Sequence, residues 1–237
     1  MADPRDPQAP GAAEAEAPAP ASAAAPALTE ELRPAAASVF GEALPLAERY
    51  VGHLATTGTE WGLLGPREVP RLWERHVLNC AVVAELLPDG ALVADVGSGA
   101  GLPGLCLALA RPDCRITLIE PLERRVSWLE MVVADLGLTN VEVVRARSEQ
   151  VADEVQVDVV TARAVSALKT LLPLTMPLLR SSGELLAIKG RSVAEEITAA
   201  RKPLRKYGGA EPEIVTVGEG LLPEPTTVVR VPARRSR

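Results

Sequence analysis

Four glycines lying between two apolar runs carry the clearest chemistry in the chain. Leu92-Val-Ala-Asp95-Val-Gly97-Ser-Gly99-Ala-Gly101-Leu-Pro-Gly104 reads as a buried strand, a glycine-rich turn and the start of a helix. Glycine allows the backbone positive φ angles and close approach to a ligand, and free amides at the next helix's start can donate to it. That is the chemistry of a nucleotide-type cofactor. Two spacings overlap: Gly99-x-Gly101-x-x-Gly104 fits the dinucleotide pattern, and Asp95-x-Gly97-x-Gly99-x-Gly101 fits the turn that binds S-adenosylmethionine. A carboxylate at Asp95 would repel a pyrophosphate but is placed to hold the amino group of a methionine moiety, so charge favours the sulfonium cofactor. Glu120 is expected to end the second strand, where it can accept from both hydroxyls of an adenosine ribose, a group that both cofactors contain. Hydride chemistry of the short-chain type would need Tyr-x-x-x-Lys, and the two tyrosines, Tyr50 and Tyr207, are followed four residues on by Leu54 and Glu211.

The elements that must position these groups follow from hydrophobic period. Helical spacing is expected over Glu42 to Ala55 and Pro70 to Leu87. Short β-branched or leucine-rich runs at Ala91 to Val96, Arg115 to Ile119, Val141 to Arg145, Val157 to Thr161 and Glu184 to Ile188 then alternate with helices at Leu105 to Ala110, Glu123 to Leu136, Ala167 to Leu179 and Val193 to Lys206. Strands alternating with helices predict a parallel sheet covered on both faces, an α/β fold. Two further strands, Glu213 to Val217 and Thr226 to Val231, have no helix between them and are expected to pair antiparallel.

Of the 237 residues, 47% are hydrophobic, and the net charge is −6. Residues 1–37 hold 15 Ala, 7 Pro and six acids against two Arg, which predicts a disordered acidic tail ahead of one domain over 38–237. Within that domain, 38–90 supplies N-terminal helices and 91–237 the cofactor-binding sheet. Basic residues concentrate in Lys189 to Lys206 and Arg230 to Arg237, where they could meet phosphate or merely be solvated. No apolar stretch reaches the ~20 residues of a membrane span, and Met-Ala-Asp-Pro-Arg-Asp lacks the positive charge of a secretory signal, so the expected location is cytoplasmic, with no membrane partner. Cys80, Cys106 and Cys114 have no Cys-x-x-Cys spacing and no nearby His set, so buried reduced thiols and no metal are expected.

In order along the chain, Arg75-His76-Val-Leu-Asn79-Cys80, Asp95-Val-Gly-Ser-Gly-Ala-Gly-Leu-Pro-Gly104, Glu120-Pro-Leu-Glu-Arg-Arg-Val, Asp158-Val-Val-Thr-Ala-Arg163-Ala and Ile188-Lys189-Gly190 resemble the RsmG (GidB) family of small-subunit rRNA guanine-N7 methyltransferases. The resemblance implies a class I, Rossmann-like S-adenosylmethionine-dependent methyltransferase with N-terminal helices and a terminal antiparallel pair. It also implies monomeric action on one guanine in the decoding-region loop of 16S rRNA. Cofactor contacts carried over by position are Gly97, Leu102, Ser148, Glu149 and Arg163, beside Glu120. Arg75, His76 and Lys189 are the candidates for substrate contact, with His76 open between facing RNA and serving structure. Asn79 and Cys80 depart from the family's Asp and Ser, and Trp61-Gly-Leu-Leu-Gly65 departs from an Asn-Leu-Thr-like segment.

Guanine N7 has a lone pair and no proton, so this transfer requires positioning and no catalytic acid or base. The sequence agrees, since Arg163-Ala-Val stands where amino-group methylation uses Asn/Asp-Pro-Pro-Tyr/Phe, and no cysteine lies in a Pro-Cys motif for pyrimidine chemistry. Aromatics make up only 3% of the chain, which argues against a stand-alone single-strand binder and for recognition of a folded target such as the assembled small subunit. Competing readings are a methyltransferase of a small molecule or protein and a non-catalytic RNA-binding module on the same fold. A nicotinamide oxidoreductase stands behind both.

Overall fold

The computed structural model describes residues 25–163, 166–190 and 193–234. Seven strands form one sheet in the order β3-β2-β1-β4-β5-β7-β6. They are β1 (Leu92–Val96), β2 (Arg115–Ile119), β3 (Val141–Val144), β4 (Val157–Arg163), β5 (Leu179–Ile188), β6 (Glu213–Val217) and β7 (Thr226–Pro232). β1 to β5 run parallel, and β7 lies antiparallel to both β5 and β6, as the missing crossover requires. The helices are α1 (Arg33–Phe40), α2 (Leu44–Ala55), α3 (Thr57–Glu60), α4 (Asn79–Ala81), α5 (Gly104–Ala110), α6 (Glu123–Leu136), α7 (Leu168–Thr175) and α8 (Val193–Lys206). α5, α6, α7 and α8 fill the connections after β1, β2, β4 and β5.

Strand alternation sends neighbouring side chains to opposite cores. Val93 packs with α1, α2, α5 and α6 on one face, whereas Ala94 packs with α7 and α8 on the other. The first face is the deeper one, because α2 commits Ala47, Tyr50, Val51, Leu54 and Ala55 to it. Burying a side chain such as Leu54 contributes on the order of 1.5–3 kcal/mol, enough to anchor helices that precede the sheet in sequence.

Four expected boundaries differ by more than two residues. The tail reading of 1–37 fails from residue 28 onward, since Leu28, Leu32, Ala35 and Ala36 are buried and α1 starts at Arg33, with Pro34 in its first turn. Few as they are, those apolar side chains fit the face of α2 and α5; residues 1–24 of the expected tail lie outside the described residues. The helix expected over Pro70 to Leu87 is a run of different winding: 3₁₀ over Pro66–Arg71, π over Leu72–Leu78, then α4, then 3₁₀ over Val82–Leu86. α7 stops at Thr175, with a 3₁₀ turn at Met176–Leu178, and β5 begins at Leu179 because Leu179 pairs with Val157.

Candidate functional site

Because β1 to β5 are parallel, the residues that follow them gather at one edge of the sheet. Strand order reverses between β1 and β4, and ligands of open α/β sheets bind at the carboxyl edge beside such a reversal. The glycine turn follows β1, Glu120 follows β2, Ser148 and Glu149 follow β3, Arg163 ends β4 and Lys189 follows β5. All of the expected cofactor residues therefore lie along this edge, with Arg163 and Lys189 on the β4–β5 side.

The turn is held from three directions. Gly97, Gly99 and Gly101 have φ of 71°, 56° and 82°, which a side chain would strain. Gly97 N–H and Ser98 N–H both donate to the Ile119 carbonyl of β2 (2.9 and 3.3 Å). Glu120, 1% exposed, accepts from Gly99 N–H through Oε2 (3.0 Å) and from Leu122 N–H through Oε1 (3.1 Å), so it ties the turn to the segment after β2. The Arg125 guanidinium stands 3.7 Å from Oε2, so Oε1 is the oxygen that keeps a lone pair for a further donor. From below, Tyr50 of α2, fully buried, donates its hydroxyl to the Ala100 carbonyl at 2.6 Å. Leu102 is buried to 9% exposure beneath the turn, whereas Leu122, which the sequence did not single out, is 53% exposed beside Glu120 and offers an apolar surface.

Asp95 differs from its expected role. It is fully buried and accepts from Gly104 N–H (3.1 Å) and Thr161 Oγ1 (3.4 Å), so its carboxylate braces the turn from inside. Burial pushes its pKa up to about 7, against the pull of the Gly104, Ser98 and Thr161 donors. At Gly104 a Cβ would stand 2.3 Å from Leu118 Cδ2 and 2.7 Å from Asp95 Oδ2, which is why helix α5 starts on glycine.

After β3, Ser148 is buried and Glu149 exposed, opening a one-turn 3₁₀ helix. Ser148 Oγ bonds the Glu149 carboxylate at 3.3 Å, while Gln150 caps the turn by accepting from Arg147 N–H. Ser148 is thus not the helix cap, and Glu149 remains at the rim.

Arg163 joins the sheet to the π-helical segment. Its guanidinium donates to the carbonyls of Arg75 (3.2 Å) and His76 (3.3 Å), to Cys80 Sγ (3.0 Å) and to His76 Nδ1 (2.8 Å). Since a guanidinium only donates, Nδ1 must be the unprotonated nitrogen, and Nε2–H donates to Glu68 Oε2 at 2.8 Å. Burial and the facing Arg163 lower the His76 pKa although Glu68 pulls the other way. His76 is therefore a neutral, 8% exposed link in a Glu68–His76–Arg163 chain, with both ring nitrogens engaged by those two side chains. The extra width of a π turn lets two carbonyls and one imidazole converge on a single arginine. His53, without a visible partner in the sequence, pairs with Asp135 of α6 at 2.8 Å, beside Arg49.

On the β4–β5 side lies a cleft of about 540 Å³ lined by Arg75, Asn79, Arg163, Lys189, Glu196 and Glu224 among others. Lys189 donates to the Ser166 carbonyl and pairs with Glu196 Oε2 at 2.9 Å. Glu196, which the sequence did not single out, also accepts from Leu168 N–H at 2.8 Å. Burial opposes ionisation of Glu196, but Lys189 and the Leu168 N–H outweigh it and hold its pKa below the usual value. Asn79 donates to Thr226 Oγ1 at 2.6 Å, closing the cleft against β7. Ala164 and Val165, part of the motif after β4, lie outside the described residues.

The three cysteines are buried and unpaired as expected. Among the described residues no helix is long and apolar enough to cross a membrane.

Residues 43–222 match the family model described as rRNA small subunit methyltransferase G, GidB. Proteins named Ribosomal RNA small subunit methyltransferase G are similar at high identity. The one from Renibacterium salmoninarum is 66% identical over 205 residues, covering 86% of this chain and 95% of the relative. The one from Pseudarthrobacter chlorophenolicus is 66% identical over 201 residues, covering 85% and 93%. Among solved structures, a SAM-dependent methyltransferase from Aquifex aeolicus matches with a TM-score of 0.52 at 22% identity, over 72% of this chain and 99% of that one. M. jannaschii TYW2 in complex with AdoMet matches with a TM-score of 0.53 at 18% identity, over 70% and 78%. At these identities the structures speak for the fold, which is the class I, Rossmann-like methyltransferase sheet.

Proposed function

The chain belongs to the rRNA small subunit methyltransferase G family, and from that premise we propose that it methylates N7 of one guanine in the decoding-region loop of 16S rRNA. S-adenosylmethionine is its cofactor. The residues fit that molecule: the three positive-φ glycines of the turn admit close approach, Glu120 Oε1 retains acceptor capacity for a ribose, and exposed Leu122 offers its apolar surface to a purine. Gly97, Leu102, Ser148, Glu149 and Arg163 stand on the same edge as holding residues. When bound, the cofactor supplies a methyl group activated by sulfonium charge.

What remains for the protein is to orient. Guanine N7 carries no proton, so no side chain has to remove one, and a site made of arginine, lysine and hydrogen-bonded carboxylates suffices. The observation that carries this reading is the placement of two sites on one edge: the turn after β1, and the cleft beside the ends of the neighbouring β4 and of β5, lined by Arg75, Arg163 and Lys189. Arg75 is exposed at that cleft and free to meet a phosphate, and Lys189 reaches it through one remaining N–H. A nearly neutral body outside the acidic N-terminus favours a docked small ribosomal subunit over naked RNA, with the enzyme acting as a monomer.

The test is transfer of labelled methyl to small subunits that lack the modification, followed by mass mapping of the rRNA, with Gly97→Asp as the blank. A single N7-methylguanine in the decoding-region loop, absent from the blank, is the expected result. Label at an amino nitrogen, in a pyrimidine or only in ribosomal protein would overturn the reading.

A further inference from the structure

The Lys189–Glu196 pair has a use beyond bracing the Ser166 and Leu168 backbone, and this inference rests on the guanine reading above. Glu196 fixes one oxygen, Oε2, with two donors, and its Oε1 has no partner among the described residues. Lys189 spends two of its three protons, on the Ser166 carbonyl and on Glu196. A donor and an acceptor thus stand side by side, held by these bonds, in a cleft at the ends of β4 and β5, two strands from the turn that follows β1. The geometry points to Glu196 as the group that reads the Watson–Crick edge of the target guanine, accepting from N1–H and the N2 amino group while Lys189 donates to O6.

The order of groups carries the specificity. Along its Watson–Crick edge guanine presents an acceptor, O6, on the side of N7, followed by two donors. Lys189 then Glu196 is the complementary sequence. Adenine presents a donor on its N7 side, which would face the Lys189 ammonium, and in the flipped orientation its N7 would point away from the turn. Uracil and cytosine lack the second adjacent donor.

The pair also suits the chemistry. Methylation at N7 leaves the purine cationic and makes N1–H a stronger donor, so a carboxylate on that edge binds the transition state more tightly than the starting base. Arg75, Arg163 and Lys189 put positive charge around the cleft, and of its two carboxylates, Glu196 and the exposed Glu224, Glu196 is the one anchored by Lys189 and the Leu168 N–H.

The experiment compares wild type with Glu196→Ala and Glu196→Gln on small subunits reconstituted with guanosine or inosine at the modified position. Inosine lacks only the N2 amino group. Wild type on guanosine is the control for the function itself: without N7-methylguanine there, the underlying reading fails and not merely this one. With that control positive, Glu196→Ala is expected to lower kcat/KM on guanosine about 10- to 100-fold, the range for a hydrogen bond to a charged group. Cofactor affinity should stay within about twofold. Wild type should lose about tenfold on inosine, and Glu196→Ala should lose nothing further. An equal inosine penalty in both proteins, or an undiminished kcat/KM in the variants, overturns the assignment and leaves Glu196 as a brace for Leu168. Should Glu196→Ala fail to fold, Glu196→Gln on the same two substrates makes the same comparison.

Discussion

Asp95 sits at the base of the cofactor turn with no exposure, and its burial makes the proton a variable of stability. With a folded pKa of about 7 and an unfolded value near 4, the native state binds more protons between those two pH values. Stability from this group is therefore fully present below about pH 4 and is lost as pH rises toward 7. Asp95→Asn removes the titration. In urea unfolding, the variant should gain about 3 kcal/mol relative to wild type on going from pH 4.5 to pH 7.5, whatever its offset at either pH. An offset that does not change with pH would mean that Asp95 titrates normally. The Asp113 carboxyl, held well below its usual range by Arg111 and the Gly90 N–H, slopes the other way, which is why the variant must be read against wild type. At this scale the sequence named the carboxylate but assigned it a ligand, because a strand pattern does not say that Gly104 N–H lies 3.1 Å from its side chain.

Among elements, α2 is the one whose contribution goes beyond packing. Its helical period and apolar face are plain in the sequence, yet Tyr50 reads there as one more core residue. Only the packing of α2 across α5 carries the hydroxyl to the Ala100 carbonyl, fifty positions away. Tyr50→Phe keeps the ring and deletes that bond, at a cost of ~1 kcal/mol. The expected result is a cofactor Kd raised about fivefold by calorimetry, with KM for the RNA substrate unchanged. A loss confined to RNA would place the effect elsewhere. The segment Leu72–Leu78 shows the complementary case: apolar spacing announces a helix, but not its π winding, in which the carbonyls of Arg75 and His76 accept from Arg163.

Across the whole molecule, the two basic runs of the sequence come together. Arg201 and Arg205 of α8 and Arg234 beyond β7 line one pocket of about 230 Å³, shared with Glu211. α8 starts at the cleft between Lys189 and Arg75 and its 14 residues span ~20 Å, so RNA bound as proposed in that cleft would have a route along the helix to these charges. Replacing all three arginines with glutamine should raise KM for small subunits and reduce the slope of log KM against log salt by about 2, at ~0.7–0.9 per phosphate contact. The turnover rate and cofactor affinity should hold. An unchanged salt slope would mean that these arginines are solvated charges. Arg235 and Arg237 of the second run lie outside the described residues.

Local periodicity determined most of this protein: five parallel strands, their crossovers, the antiparallel close and the glycine turn each depend on residues near one another in the chain. The same is true of the site residues that follow strands, since parallel topology alone delivers Gly97, Glu120, Ser148, Glu149, Arg163 and Lys189 to one edge. What the tertiary structure decided are the partners of those residues. The Glu68–His76–Arg163–Cys80 network, the Lys189–Glu196 pair with its bond to Leu168 and the Tyr50 brace join segments far apart in sequence. A hydrogen bond depends on a few tenths of an ångström between side chains whose separation is set by every helix packed between them, and hydrophobic period carries no record of that distance.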